Sequence, residues 1–523
     1  MALSSIVKLK CKECDKIAVE KSRINFGTSK LITLECGHVI SDSVMTGGEA
    51  DIAHILNGCT LMDYQVEGVK FLQQANGRAI LADEQGLGKT IEILALIKLH
   101  QKELTPAVIV VPSSVKLQWH HEIINKCGVA GFLTQVIDSG KVMAAPGFDI
   151  YVTTYDLLKN AETCFDMVKG DIKLVVLDEC QRIKNHDTGR AKAVQKFVKL
   201  TGAECIVPMS GTPIENNAGE YFTILNLVAP RMFPQFQKFI DNDCDSYNNG
   251  YNQKIGGLKN PPAFHEKTKD FIIRRRQKDV LKDLPELSRR FYHVELDRKL
   301  NKRYAELMAE LEEEYYNEDT SGFEKQGNML AIMNKLRQIT GISKVTECVD
   351  FVTEFLLSCE RKIVVFAHHH AAEDLLEAEL NVWLSDGGYE KVTRFRSGDD
   401  FETKGMQFKN SKSRVMIAST QAGGVGGNLQ FVSDAIMLER QWNPSKESQA
   451  EKRHHRYGQK NAVIVTYFIA SGTIDEYFTE LVEQKRAIVG SSLDNEEKNW
   501  SENSLLSELA TILVTRGKKA WKL

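Results

Sequence analysis

Short, uninterrupted apolar runs recur along the chain, separated by longer stretches whose apolar residues fall at helical spacing. Ala79–Ala82, Ala107–Pro112, Asp149–Thr154, Leu174–Leu177 and Glu204–Met209 are such runs. Strands that alternate apolar and polar residues belong to sheets with one wet face. Continuous apolar runs predict strands of a parallel sheet covered by helices on both sides. The pattern lapses over 231–350, where segments such as Arg298–Tyr316 are rich in Leu, Glu, Ala and Lys, so this stretch is expected to be a helical insert and linker. It resumes with Lys362–Ala367, Ser413–Ala418, Ala435–Leu438 and Val463–Phe468. The expected class is therefore α/β, with two tandem parallel-sheet lobes at 46–230 and 351–490, a small module at 1–45 and a tail at 491–523.

The first 45 residues do not share this pattern. Cys11-x-x-Cys14 is followed by Cys36-x-His38. Thiolates and imidazole at such spacing suit tetrahedral zinc, which would staple a segment too short for a core of its own. His54 and Cys59 are spare candidates for a ligand, and unrelated thiols near a chain end are the plain alternative. The remaining cysteines, of eleven in all, are scattered. That scatter suits buried thiols in a reducing compartment. The chain has 523 residues, of which 42% are hydrophobic and 26% charged, as in ordinary soluble proteins. No run approaches the roughly 20 apolar residues of a membrane span. An intracellular, soluble protein is expected, in bacterial or host cytoplasm or in a nucleus. The net charge of -3 does not point to nucleic acid, but a basic channel needs only a local excess of charge.

Candidate chemistry begins after the first strand, at Asp83-Glu84-Gln85-Gly86-Leu87-Gly88-Lys89-Thr90, followed by an apolar helical stretch. Strand, glycine turn and helix make a phosphate cradle. Gly86, Leu87 and Gly88 bring backbone N–H groups to the phosphates, Lys89 reaches the β- and γ-phosphates, and the Thr90 hydroxyl ligates magnesium. The first glycine of the usual pattern is replaced by Asp83. The strand Leu174–Leu177 ends in Asp178-Glu179. At the carboxyl end of a parallel strand, Asp178 suits the magnesium shell and Glu179 suits deprotonation of an attacking water. Together the two motifs predict ATP hydrolysis with Mg2+.

The motifs taken in order resemble the Swi/Snf-type ATPases of helicase superfamily two, from about residue 60 to about residue 486. Asp83 stands where that family carries an acidic residue. Leu61-x-x-Tyr64-Gln65-x-x-Gly68 resembles its nucleotide-sensing segment, which implies that Gln65 meets adenine. Val110-Val111-Pro112-Ser113, Gln118-Trp119 and Thr153-Thr154-Tyr155 resemble DNA-side segments. Asp178-Glu179-Cys180-Gln181 departs from Asp-Glu-x-His at Gln181. Ser210-Gly211-Thr212-Pro213 resembles the motif linking hydrolysis to lobe movement. In the second lobe, Ser419–Leu429 with Gly426, Trp442-Asn443-Pro444, and Gln449-x-x-x-Arg453-x-x-Arg456 resemble the remaining helicase motifs.

The resemblance implies two RecA-like lobes. Arg453 and Arg456, three apart on a helix face, would reach the γ-phosphate with Gln449 beside them. It implies a monomeric motor tracking the backbone of double-stranded DNA, with Ser113, Thr154, Thr420 and Trp442 as contacts, joined by Lys116 and the basic run Arg274, Arg275, Arg276 and Lys278. The N-terminal module would serve targeting, through a protein partner or DNA. A strand-separating DNA or RNA helicase and a non-catalytic ATP-binding scaffold are the competing readings.

Overall fold

A computed structural model of the chain describes residues 8–10, 17–26, 29–34, 39–42, 52–127, 131–214, 217–248, 253–317, 322–396, 399, 401–420, 428–441, 444–492, 509 and 513. The N-terminal strands Lys8–Lys10 (β1), Ile17–Phe26 (β2), Ser29–Leu34 (β3) and Val39–Asp42 (β4) form an antiparallel meander in chain order. The four expected zinc ligands, Cys11, Cys14, Cys36 and His38, lie outside the described residues.

The first unit contains residues up to Ile214, then Ala218–Ser246 and Pro262–Val280. Its sheet is built from Ile80–Leu81 (β5), Ala107–Val111 (β6), Thr134–Val136 (β7), Ile150–Thr154 (β8), Leu174–Asp178 (β9), Cys205–Met209 (β10) and Ile272–Ile273 (β13). Two further strands, Cys244–Asn248 (β11) and Gln253–Leu258 (β12), pair with each other in a two-stranded sheet. The order β13-β5-β10-β9-β6-β8-β7 is parallel throughout. β6 and β10 are buried along their whole length, which is why they read as continuous apolar runs. Register fixes the site. Met209 of β10 pairs with both Leu81 of β5 and Asp178 of β9, so three strands end on one rung. The loops leaving these ends open where open α/β sheets bind ligand.

The second unit is mainly Leu281–Leu523. Its strands are Leu287–Val294 (β14), Ile363–Ala367 (β15), Thr393–Phe395 (β16), Val415–Ser419 (β17), Asp434–Met437 (β18) and Val463–Ala470 (β19), all parallel in the order β14-β19-β18-β15-β17-β16. One face is sealed by Val345, Val352, Leu376 and Leu380, the other by Phe408, Leu429 and Ala450. A third cluster joins Tyr304, Leu307, Leu311, Met333, Ile474 and Phe478 with Leu509 and Leu513 of the tail.

Two expectations change. The stretch 231–350 is not only helical. It supplies β13 to the first sheet and β14 to the second, and the units divide near residue 280, not at 230 and 351. Both strands escaped the pattern for a physical reason. β13 has two residues, and five successive residues of β14, Arg289–His293, are exposed at a sheet edge. Within 491–523, Leu509 and Leu513 are buried in the helical cluster.

Candidate active site

The phosphate loop turns between β5 and the helix Lys89–Leu99. Gly86 and Gly88 have φ of 85° and 84°, the left-handed region open to glycine at little cost. At Gly88 a second constraint applies. A Cβ there would stand 2.4 Å from Nε2 of Gln65. That nitrogen donates to the Leu87 carbonyl at 2.9 Å, the Tyr64 hydroxyl donates to the same carbonyl at 3.0 Å, and Gln65 Oε1 accepts from the Met62 amide at 2.9 Å. Gln65, expected to meet adenine, thus grips the loop through one end of its amide and the start of its own helix through the other. The Lys89 ammonium donates to the carbonyls of Asp83 and Glu84 at 2.7 and 3.2 Å, which fixes its side chain against the loop.

Asp83 is placed differently from the expectation that it binds nucleotide. Its side chain is fully buried and faces Arg275. Asp83 Oδ1 accepts the Arg275 amide at 2.8 Å, and Oδ2 accepts Arg275 Nε at 2.9 Å. The same guanidinium donates through Nη2 to both oxygens of buried Glu92 at 2.9 Å and through Nη1 to the Tyr64 carbonyl. Burial, and then the neighbouring Asp83 charge, push the Glu92 carboxyl well above the usual range, against the pull of Arg275. An acid in place of glycine therefore braces the loop from below. Arg275, expected among the DNA contacts, turns inward to meet it. Of its neighbours, Arg274 donates to the Ala82 carbonyl at 3.0 Å, Arg276 pairs with Asp279 at 2.8 Å, and Lys278 is exposed.

At the end of β9, Asp178 accepts the Trp119 indole N–H on Oδ2 at 2.8 Å and the Glu179 amide on Oδ1 at 2.9 Å. Burial, reinforced by the Glu179 charge, raises its carboxyl to about 7. Glu179 itself sits at φ 51°, ψ 51°, a left-handed conformation that costs a non-glycine residue on the order of 1 kcal/mol and is tolerated where surroundings hold it. Gln181 Nε2 donates to Glu179 Oε2 at 2.6 Å. Gln181 Oε1 accepts the Ser210 hydroxyl at 2.7 Å, and Ser210 Oγ accepts the Thr212 amide at 3.0 Å. A carboxylate can only accept, so the amide orientation is dictated by chemistry. Gln181, which departs from the family histidine, makes a continuous relay from Glu179 to the Ser210-Gly211-Thr212 turn. Gly211 closes that turn on the loop, since a Cβ there would meet Gln85 Cγ at 2.6 Å. Thr90 is half-buried in the first turn of its helix. Its hydroxyl and Asp178, the last residue of β9, are hard oxygen donors of the kind magnesium prefers.

The proposed DNA-side residues divide. Ser113 is exposed at the end of β6, and Thr154 is buried at the end of β8, level with Val111. In the second unit Thr420 is buried. Its hydroxyl donates to the Ala367 carbonyl at 3.0 Å and accepts from Gln441 Nε2 at 2.7 Å, so the side chain serves packing and not a DNA surface. Trp442 and Gly426 lie outside the described residues. The helix Pro444–His454 carries Gln449 and Arg453. Gln449 is half-buried, and Arg453 is 7% exposed. Arg456 lies beyond the helix end, with its guanidinium on Asn428 Oδ1, so the pair does not share the helix face that their spacing suggests. Among the described residues no group of three His, Cys, Asp or Glu side chains is arranged to hold a metal, and no helix is long and apolar enough to cross a membrane.

The roles of Trp119, Gln181, Glu92 and Arg275 were not readable from motif spacing. A tryptophan 59 positions from its carboxylate and an arginine 192 positions from its partner give no local signal.

Comparison with known proteins gives the family. The model of the SNF2-related domain matches residues 64–343, more than half of the chain, and that of the helicase conserved C-terminal domain matches residues 344–458. The chain is 29% identical over 461 residues to the SWI/SNF-related matrix-associated actin-dependent regulator of chromatin subfamily A-like protein 1 of Xenopus tropicalis, covering 87% of this chain and 47% of that protein. It is 27% identical over 456 residues to the DNA annealing helicase and endonuclease ZRANB3 of Mus musculus, covering 84% of this chain and 41% of the relative. A solved Sulfolobus solfataricus SWI2/SNF2 ATPase core in complex with dsDNA is 23% identical, with a TM-score of 0.40, over 90% of this chain and 97% of that one. The chain spans less than half the length of these curated relatives. With a family model accounting for most of its first half and a second for the helicase C-terminal domain, the chain belongs to the SNF2-related family.

Proposed function

We propose that the chain is an ATP-driven translocase on double-stranded DNA. The observation that carries this reading is the relay Glu179–Gln181–Ser210 beside a braced phosphate loop. The loop amides and Lys89 hold the phosphates of ATP, and Thr90 and Asp178 hold Mg2+, which spreads the phosphate charge. Glu179 takes a proton from water as its oxygen bonds to the γ-phosphorus and the bond to the β-phosphate oxygen breaks. Arg453 and Arg456 supply the guanidinium charge that steadies this transfer, with the neutral amide of Gln449 beside them. The relay passes the state of Glu179 to the turn at Ser210, and lobe movement converts it to steps along the duplex. Ser113, just after β6, and Thr154, at the end of the neighbouring β8, form the first unit's part of the DNA track. A family relative named a DNA annealing helicase favours a duplex track over strand separation.

Measured at low salt, wild-type turnover should rise with duplex DNA and fall back as salt increases. Turnover indifferent to duplex sinks the proposal, and strand displacement on a labelled duplex would favour a true helicase. Glu179→Gln should abolish hydrolysis and leave ATP binding intact.

The N-terminal module is proposed to hold zinc and to dock a protein partner or DNA. Its support is topological. In the meander the chain leaves β1 at Lys10 opposite Ile17, and leaves β3 at Leu34 opposite Glu20, so both connections that carry the candidate ligands depart from one end of the sheet. Metal analysis of the full chain should find one zinc, lost in Cys11→Ser; an unchanged metal content in that variant counts against it.

A further inference from the structure

The segment that joins the two units is hydrogen-bonded at its beginning to the phosphate loop and at its end to the helix carrying Arg453. In the first unit the ladder between β13 and β5 runs on past the strands. Ile80, Ala82 and Glu84 donate their amides to the carbonyls of Phe271, Ile273 and Arg275 at 2.7, 2.8 and 2.9 Å. The loop is then closed by Gln277, whose amide donates to Glu84 Oε2 at 2.8 Å and whose side chain donates to the Gln85 carbonyl at 2.9 Å. Gln277 is 4% exposed, so these bonds are shielded from water.

In the second unit the chain arrives with the Pro285 carbonyl accepting from His455 Nε2 at 2.6 Å. It enters β14, which is in register with β19 from Leu287 opposite Val463. Arg289 then makes a two-pronged contact with Glu451, Nε to Oε1 at 2.6 Å and Nη2 to Oε2 at 2.8 Å. Glu451 is fully buried, sits between Gln449 and Arg453 on their helix, and also accepts the Tyr467 hydroxyl at 2.7 Å. Only residues 278–284 separate the two sets of contacts.

We propose that residues 271–289 form a coupling strap, with Gln277 and Arg289 as positioning residues that tie the nucleotide loop to the arginine-bearing helix. This rests on the functional reading above, and on Arg453 acting at the phosphate. A bidentate guanidinium fixes both distance and angle of the helix, which a lysine cannot do. A shift of Gln85 when phosphate binds would move Gln277 directly, and the covalent segment would carry that shift to Pro285 and Arg289. Neither residue belongs to the catalytic motifs, so their effect should appear in turnover rather than in nucleotide affinity.

The test is a double-variant cycle on the full chain, measuring ATP turnover with and without duplex DNA and binding of a fluorescent ATP analogue. Arg289→Met and Gln277→Ala should each lower kcat about fivefold to tenfold and leave analogue affinity within about twofold. Because the two residues share no contact, independent local damage would multiply in the double variant. A strap predicts a double variant no slower than the slower single one. Arg289→Lys should fall between wild type and Arg289→Met. Arg289→Met leaves a buried carboxylate short of a partner, so Arg289→Met with Glu451→Leu serves as the folding control. That pair should recover the thermal midpoint and remain slow. Multiplicative losses, recovery of kcat along with the midpoint, or a loss of analogue affinity would each overturn the strap. If wild type ignores duplex, the translocase reading fails, and the same cycle on basal turnover still decides the strap.

Discussion

Trp119 and Asp178 are joined by an indole-to-carboxylate hydrogen bond of 2.8 Å, although 59 positions separate them in the chain. The bond stabilises the charged form of a carboxyl that burial, and then Glu179, raise to about 7. Trp119→Phe removes the donor and keeps most of the volume. Asp178 should then hold its proton to higher pH and bind Mg2+ less well. The Mg2+ concentration for half-maximal turnover at pH 7 should rise about tenfold or more, in line with about 1.5–3 kcal/mol for a hydrogen bond to a charged group. An unchanged Mg2+ midpoint would show that the indole is packing alone.

Gln181 joins Glu179, the proposed general base, to the Ser210 turn through both ends of one amide. Gln181→Ala should leave ATP binding intact and reduce duplex stimulation about tenfold, about 1.4 kcal/mol in the barrier. Gln181→His, the residue common in the family, should keep most of it. Turnover measured with saturating ATP and a titration of duplex separates these outcomes. Full stimulation in the alanine variant would remove the relay from the mechanism.

Arg275 has two carboxylates to satisfy, both with fully buried side chains. Arg275→Ala would leave them unpaired, a cost of about 3–5 kcal/mol by analogy with broken buried ion pairs. The first unit should melt well below wild type, and the loss should shrink when Glu92→Gln is added, because one buried charge is then gone. A denaturation midpoint for Arg275→Ala equal to wild type would show that the site is wetter than its burial implies.

His454 is fully buried at the end of the helix Pro444–His454, and burial lowers its pKa to about 4. His368 is also lowered to about 4, first by burial and then by the Arg337 charge. The unfolded chain takes up these protons near the ordinary value of about 6.5, and the folded chain resists until about 4. Stability should therefore rise with pH across that window and drain as pH falls through it, by on the order of 3 kcal/mol for His454. Melting of the wild type between pH 7 and 4.5 should show the decline, and His454→Gln should flatten it. A variant with the same slope as wild type would assign the decline to other groups.

Most of the two sheets could be read from the chain because their strands are buried on both faces and therefore uninterruptedly apolar. The shape of the phosphate loop was equally legible, since Gly86 and Gly88 take the left-handed backbone that their spacing calls for. Orientation was not legible. The run Arg274-Arg275-Arg276 looks like one basic face, yet pairing of β13 with β5 turns the middle residue onto Asp83 and the others elsewhere. Thr420 reads as a polar loop residue until Gln441 is seen to use its hydroxyl. Arg456 falls outside its helix because the helix stops at His454, a boundary that residue spacing does not mark.

Leu509 and Leu513 fill the same apolar cluster as Tyr304, Leu307 and Leu311. Partners so distant in the chain place a demand on synthesis. The earlier helix leaves the ribosome long before the leucines that cover it, and its oily side must wait, shielded by Met333 and Leu336 at first and by Ile474 and Phe478 later. The second lobe should therefore depend on chaperone holding during translation more than the first, whose sheet is finished by residue 273.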